Sequence, residues 1–316
     1  MELNNNERKY KKNIFPPREL NVGDSKYTIY KASFNSLYDL YNYLKSDPEI
    51  NSETFPVSYS INNPSNFAGK SYSEALEDLV KILDVNDETL LKLKKNLLTA
   101  KNISVDKYRT VKSIGGGRVN IHDYMVGAPI CYEVDEKIEQ PKFVKMHVSL
   151  GYACDTSFEQ VLNRAIIIIN IVNALERAGY KVDLNTYELC INEDELLYIV
   201  VKIKRFNEIM NKSSLSKVLC NVEFLRRILF RVLETLSVKN PAWGQNYGLV
   251  CDNDEIVKSV LKMEKDDIYI PQPNKLNIQG NNLYDDFVSA IHELNLESFF
   301  DIREIEREKE LSLRRR

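Results

Sequence analysis

The side chains in this sequence that could do chemistry are few and scattered. His122-Asp123, His147, Cys131 and Cys154 could converge in a fold, but each stands alone in the sequence. A zinc site would show Cys-x2–4-Cys or His-x3–5-His pairs, and there is neither. Cys131 follows a proline turn and His147 begins a β-prone run, so a Cys–His nucleophile would need the fold to join residues that no motif joins. A small buried thiol is the simpler state for such a cysteine. A palm-type two-metal centre wants carboxylates on its first strand and at the following hairpin. That strand offers Lys145 and His147, and only Asp194 and Glu195 sit near the hairpin. No catalytic residue, metal or cofactor is therefore expected, and the chain reads as a binding protein rather than an enzyme.

Binding chemistry is better represented. In Arg109–Tyr132, RTVKSIGGGRVNIHDYMVGAPICY, Gly115, Gly116 and Gly117 permit a turn that other residues resist and bare their backbone N–H groups. The run lacks the Lys-Ser/Thr of a P-loop and the spacing of a dinucleotide fingerprint. With Arg118, His122 and Asp123 close behind, it makes a small edge suited to anions. A second set, Tyr198, Lys202 and Arg205, lies on a strand further on, beside Tyr152, Tyr187, Phe206, Lys181 and Lys204. Aromatics and cations on one sheet can stack bases and follow phosphates, although no RNP-type pattern is present. These two sets, joined, are the expected ligand or nucleic-acid site.

The elements that must position them run from Phe143 to Phe206. Strand 143–152 leads to helix 157–178, which Asp155, Thr156 or Ser157 can cap and Gly179 can end. Ile166 to Ile169 in succession make that helix apolar on nearly every side, so it must be covered. Asn170 and Asn173 are its polar interior residues and read as clamps on a neighbouring backbone. A hairpin over 181–204 follows, then a helix from 214 to about 237 with Arg226, Arg227 and Arg231 outward. A short strand at Ile268–Ile270 completes the order βαββαβ, that of a ferredoxin-like split βαβ unit. The expected fold class is α+β, with a ferredoxin-like core over 143–270 and an irregular, helix-containing part over 19–142. Residues 1–18 read as a basic flexible arm, and 271–316 as a C-terminal helix with a charged tail.

Length and composition bound the rest. At 316 residues and 43% hydrophobic, the chain can bury a sizeable core. A net charge of −3 gives no global pull toward polyanions, so phosphate contact needs a local patch. Five widely spaced cysteines suit reduced thiols. No signal peptide or membrane span is expected. Turn-rich residues 51–70 form a long loop of the kind that is often functional, and amphipathic helices are expected over 73–83 and 86–100.

Gly116, Gly117, Val119, Tyr124, Gly127, Pro129 and Cys131, then Ala174, Leu175, Glu176 and Gly179, occur in an order that resembles an uncharacterised family of proteins carried by bacteriophages and plasmids. Phe67-Ala68-Gly69 with Ser73 and Glu74 is similar to that family's glycine-then-helix entry. Asn120 and Tyr132 depart from its pattern, where Asp and Met are usual. The resemblance implies a mobile-element origin and a place in the bacterial cytoplasm, and it assigns no activity. The expected partner is nucleic acid or a nucleoprotein complex. The alternative is a protein partner or self-association, as in a host-factor or defence-system inhibitor or a virion component.

Overall fold

The computed structural model describes residues 13–81, 107–138, 142–153, 156–297 and 299–300, with 303, 307 and 310 beyond them. Its main body is a seven-stranded mixed sheet: β1 (Ile14–Val22), β2 (Ser25–Phe34), β6 (Lys142–Ser149), β7 (Tyr180–Asn192), β8 (Glu195–Lys204), β9 (Leu249–Val250) and β10 (Ile268–Ile270). Across the sheet the order is β1-β2-β8-β7-β6-β10, with β9 on β7. Strand β6 runs parallel to β7 and to β10, β2 runs parallel to β8, and β7 and β8 form an antiparallel hairpin.

The expected strand 143–152 does lie beside the hairpin, but the ferredoxin-like topology is not evident. A split βαβ would leave β8 between β6 and β7. Here β7 takes that slot itself, β8 lies on its far side, and β10 is parallel to β6. The physical reason is long-range pairing. The hairpin's free edge is claimed by β2, which pairs over Thr28–Phe34 with Glu195–Val201. Residues 14–34, expected as the end of an arm and, over 27–34, as a strand of the N-terminal part, thus belong to the main sheet. Pro16 and Pro17 are tolerated because β1 is an edge strand and they sit at its register shift between Phe15 and Arg18.

One face of the sheet is covered by α6 (Phe158–Arg177), which joins β6 to β7. Its Ser157 and Gln160 form a capping box, and Gly179 takes φ +85° just past its end. Length and hydropathy would suit a membrane span, but 14 of its 20 residues are buried against strands and helices of the same chain. Even residues of β2 and β7 and odd residues of β8 point toward it, among them Ala32, Val182, Leu184, Ile199 and Val201. Asn163 clamps Asp286 (2.8 Å), while Asn170 bonds Ile166 of its own helix (2.8 Å). Half of the opposite face is closed by α10 (Asp254–Leu261), which packs Ile256, Val257 and Val260 near Ile29, Tyr187, Leu189, Tyr198 and Val200. The other half is more open, exposing Phe143 and Lys181 while His147 and Asn185 within it are buried.

The helix expected over 214–237 is broken into α7 (Lys212–Leu219), a π-helical turn (Phe224–Leu229) and α8 (Phe230–Leu233). Arg226, Arg227 and Arg231, expected outward, are buried. Arg227 donates to the carbonyls of Ser60, Ile61, Asn63 and Lys70, and Glu234, fully buried, accepts from Ser58, Ser60 and Tyr247. The 51–70 loop is thereby stapled to the core, which is why it needs so little apolar content. Ser71 and Glu74 cap a short helix, α4 (Tyr72–Asp78), on its far side. The helix expected over 86–100 lies outside the described residues.

A separate three-stranded antiparallel sheet, β3 (Lys107–Ser113), β5 (Tyr132–Ile138) and β4 (Arg118–Val119), carries the triple glycine and a single-turn helix, α5 (Ile121–Met125). No strand pairs it with the main sheet among the described residues.

Candidate nucleic-acid interface

Register places the open half of the second face residue by residue. Phe143 pairs with Lys181, Lys145 with Asp183, and His147 with Asn185, which in turn faces Lys202 on β8. Alternation keeps these on the side away from α6. One strand further out, Lys31 of β2 lies between Phe15 and Tyr198, its Nζ 5.4 Å from each ring. Arg205 follows the end of β8 and donates to the Asn35 carbonyl (3.4 Å).

The charges here are not balanced. Burial lowers the Lys31 pKa, and Arg18, Lys262 and Lys202 lower it further, with no carboxylate acting the other way. Among the described residues Arg18, Lys31, Lys181, Lys202, Arg205 and Lys262 make no ion pair. Asp183 is the carboxylate in their midst. Burial raises its pKa, and Lys202, Asn185, His147 and Arg205 oppose the rise. At the margin Lys145 pairs with Glu264 (2.7 Å), and His147, whose pKa burial lowers, stands 3.4 Å from Asp267.

The sequence-predicted residues therefore divide. Lys202 and Arg205 are brought together with Arg18, which the sequence placed in a basic arm and which lies on β1, and with Lys31 and Lys262, which sequence reasoning missed because they come from β2 and the end of α10. Tyr198 is on the right face but buried beneath Lys31, so it supports a cation and presents no ring to a base. Lys204 points the other way and is buried on Glu176 (2.6 Å) and the Val182 carbonyl (3.0 Å). Two aromatics are exposed here: Phe15, beside Lys31, and Phe143, 58% exposed and in edge contact with Phe206 at 5.0 Å between ring centroids.

Gly115, Gly116, Gly117, Arg118, His122 and Asp123 lie together on the small sheet. Arg118 is held by Glu133 (3.1 Å) and Asp135 (3.7 Å), and Asp123 by Lys112 (2.6 Å). Asn120 caps α5 and also bonds Glu133 (2.8 Å), so the turn is tied inward by its own side chains. His122 is exposed on α5, Cys131 precedes β5, and His147 is in the other sheet, so the candidate Cys–His constellation does not assemble. Cys154 lies outside the described residues. Among the described residues no three His, Cys, Asp or Glu side chains are grouped to hold a metal.

A second polar locus lies at the carboxyl ends of β6 and β10, where the chain leaves β6 in one direction and returns on its other side. Such switch points are where open α/β sheets hold ligands. Arg164 of α6 spans the gap, donating to the carbonyls of Ser149 (2.5 Å) and Ile270 (3.4 Å). Burial lowers its pKa to about 10 and raises that of Glu188, on the neighbouring β7, to about 7. Among the described residues Arg164 Nε, Glu188 Oε2, Tyr152 Oη and Thr156 Oγ1 are buried without a hydrogen-bond partner.

The chain belongs to the family described as a domain of unknown function, DUF7192, whose model matches residues 9–305. No curated protein and no solved structure matches it.

Proposed function

We propose that this protein binds nucleic acid, or a nucleoprotein complex, through the open half of the sheet's second face, and that it acts without classical catalysis. The observation that carries this reading is the set of cations around Lys31 and Lys202 that make no ion pair among the described residues, on a protein whose net charge is −3. Six like charges on one face cost stability through mutual repulsion, and an array of phosphates relieves it. The glycine turn contributes less than the sequence suggests, because Arg118 is already neutralised. A bacteriophage or plasmid origin and a place in the bacterial cytoplasm are part of the proposal, supported by the motif resemblance. Among the described residues Cys131, Cys190 and Cys251 form no disulfide, which accords with such a reducing compartment.

The test is binding of fluorescein-labelled random DNA and RNA across a salt series. Phosphate contacts give a linear fall of log affinity with log salt, with a slope near −0.7 per contact on single strands. Binding that is absent at low salt, or flat across the series, overturns the proposal.

A second reading has its own observation. Ile114, Ile121, Tyr124, Met125 and Val126 of the small sheet and α5 are each at least 66% exposed and close in sequence. An apolar ledge of this kind suits a protein surface or a second copy of the chain. Sedimentation of wild type and of Ile121→Asp over a concentration series decides it, since a self-associating ledge gives oligomers that the variant loses.

A further inference from the structure

We infer that the nucleic acid this face takes is single-stranded, and that an unpaired base stacks on Phe143. The inference rests on the proposed nucleic-acid reading and adds to it the state of the strand and the residue that senses it. Phe143 is the second residue of β6 and stands on the open face with most of its ring in solvent. An exposed phenyl ring amid cations is an expensive surface for a protein that needs only to repel or to stay soluble, and its neighbours fit a nucleotide. Lys181 lies directly across the ladder from it, and Phe206 meets its ring edge-on and fixes its plane. Arg205, adjacent to Phe206 in sequence, leads to Lys202 and Lys31 along the face. A backbone running over Lys181, Arg205 and Lys202 would bring a base to Phe143, and base–aromatic stacking is tolerant of sequence.

Space for that base is present. Phe143 forms part of the wall of a cleft of about 1120 Å³ that runs beside β10, with Lys142, Tyr180 and Met263 near it. A base paired within a duplex is stacked on both faces and cannot enter such a cleft, whereas one in a single strand can. The cleft's wall carries lysines, Lys142 and Lys265 among them, as well as carboxylates such as Asp266, so the preference for one strand rests on the stacking site rather than on charge.

The experiment compares wild type, Phe143→Ala and Phe143→Trp on three probes: a fluorescein-labelled dT12 oligonucleotide, a 12-base-pair duplex, and heparin, a polyanion without bases. Wild type is expected to hold dT12 more tightly than the duplex. Phe143→Ala should weaken dT12 about tenfold and leave heparin unchanged. In Phe143→Trp, dT12 should quench the new indole, which is separable from the single natural tryptophan because Trp243 is fully buried. Equal loss on dT12 and heparin, no loss on either, or no quenching overturns the inference while the broader reading stands. If wild type binds none of the three probes, both fall. Melting temperatures of the variants confirm folding, and the exposure of Phe143 makes both substitutions tolerable.

Discussion

Two basic regions of this molecule, the glycine turn and the open face of the main sheet, look alike in sequence and are opposite in charge balance. At the turn, Arg118 and Lys112 are each within 4 Å of a carboxylate supplied by the small sheet and α5. On the face, Lys31, Lys202 and Arg205 have no such partner among the described residues, and burial, then the neighbouring cations, depress the Lys31 pKa. Exposed pairs like those at the turn add little stability, commonly under ~1 kcal/mol, but they remove a charge from the surface potential. A cation signals a phosphate site only when the strands beside it leave it unanswered, and that depends on pairing far along the chain.

The widest separation between the two regions should come from removing charge at each. Replacing Lys31, Lys202 and Arg205 together by Ala is expected to weaken oligonucleotide binding on the order of 10–100-fold near physiological salt, and to make the log–log salt slope shallower by about 2. Arg118→Ala should change neither. An equal loss from Arg118→Ala would return the site to the turn.

Next in size is an effect on structure at the turn itself. Gly117 takes φ +69°, and a Cβ there would lie 2.1 Å from the Glu133 carbonyl oxygen. Gly117→Ala should therefore open the β4–β5 pairing at a local cost of about 1–3 kcal/mol. Gly115→Ala, with open space around its Cβ position, should be mild. Amide exchange at Val119 and Tyr132 reads this directly, and oligonucleotide affinity should stay unchanged in both variants.

The comparison can also be inverted. Glu133→Gln with Asp135→Asn leaves Arg118 unanswered and should create at the turn what the main face already has. A severalfold gain in low-salt oligonucleotide affinity is expected, one that Arg118→Ala abolishes. No gain would mean that the face depends on arrangement, Phe143 included, more than on unpaired charge.

What the sequence disclosed and what it hid follow one rule. Local features were legible: α6 from its caps and its isoleucine run, the β7–β8 hairpin, and the glycine turn as a turn. Features set by pairing between distant segments were not. Nothing in Thr28–Phe34 says that it will take the outer side of β8, yet that pairing defeats the ferredoxin-like order and brings Lys31 and Arg18 to the site. Arg226, Arg227 and Arg231 at helical spacing read as a solvated stripe. Only the loop that folds over them shows that Arg227 and Arg231 are carbonyl and carboxylate holders. Tyr198 failed for a related reason, since β-strand aromatics advertise a face without saying whether another element covers it.

The smallest expected effect is proton-linked and belongs to Asp183. Burial holds its pKa above the ordinary carboxylate value, so the folded protein binds this proton more tightly than the unfolded chain does. The stability this residue contributes is therefore full below the unfolded pKa, and it is lost as pH rises through the folded one. Binding follows the same proton. Below the folded pKa Asp183 is neutral and the face carries one less negative charge, so oligonucleotide affinity should rise as pH falls through that range. Bound phosphates raise the pKa further, so binding and proton uptake strengthen each other. Affinity should rise on acidification beyond the trend of Asp183→Asn, which should bind at neutral pH as tightly as wild type does when acidified. His147 also gains charge on acidification and faces Asp267 and Lys145, and its burial delays that gain to lower pH. His147→Gln separates the two groups. Calorimetry over an acidic pH series in buffers of different ionisation enthalpy should show proton uptake on binding that Asp183→Asn removes and His147→Gln leaves in place. Uptake that vanishes with His147 instead would move the proton off the strand that carries Lys181 and onto the one that carries Phe143.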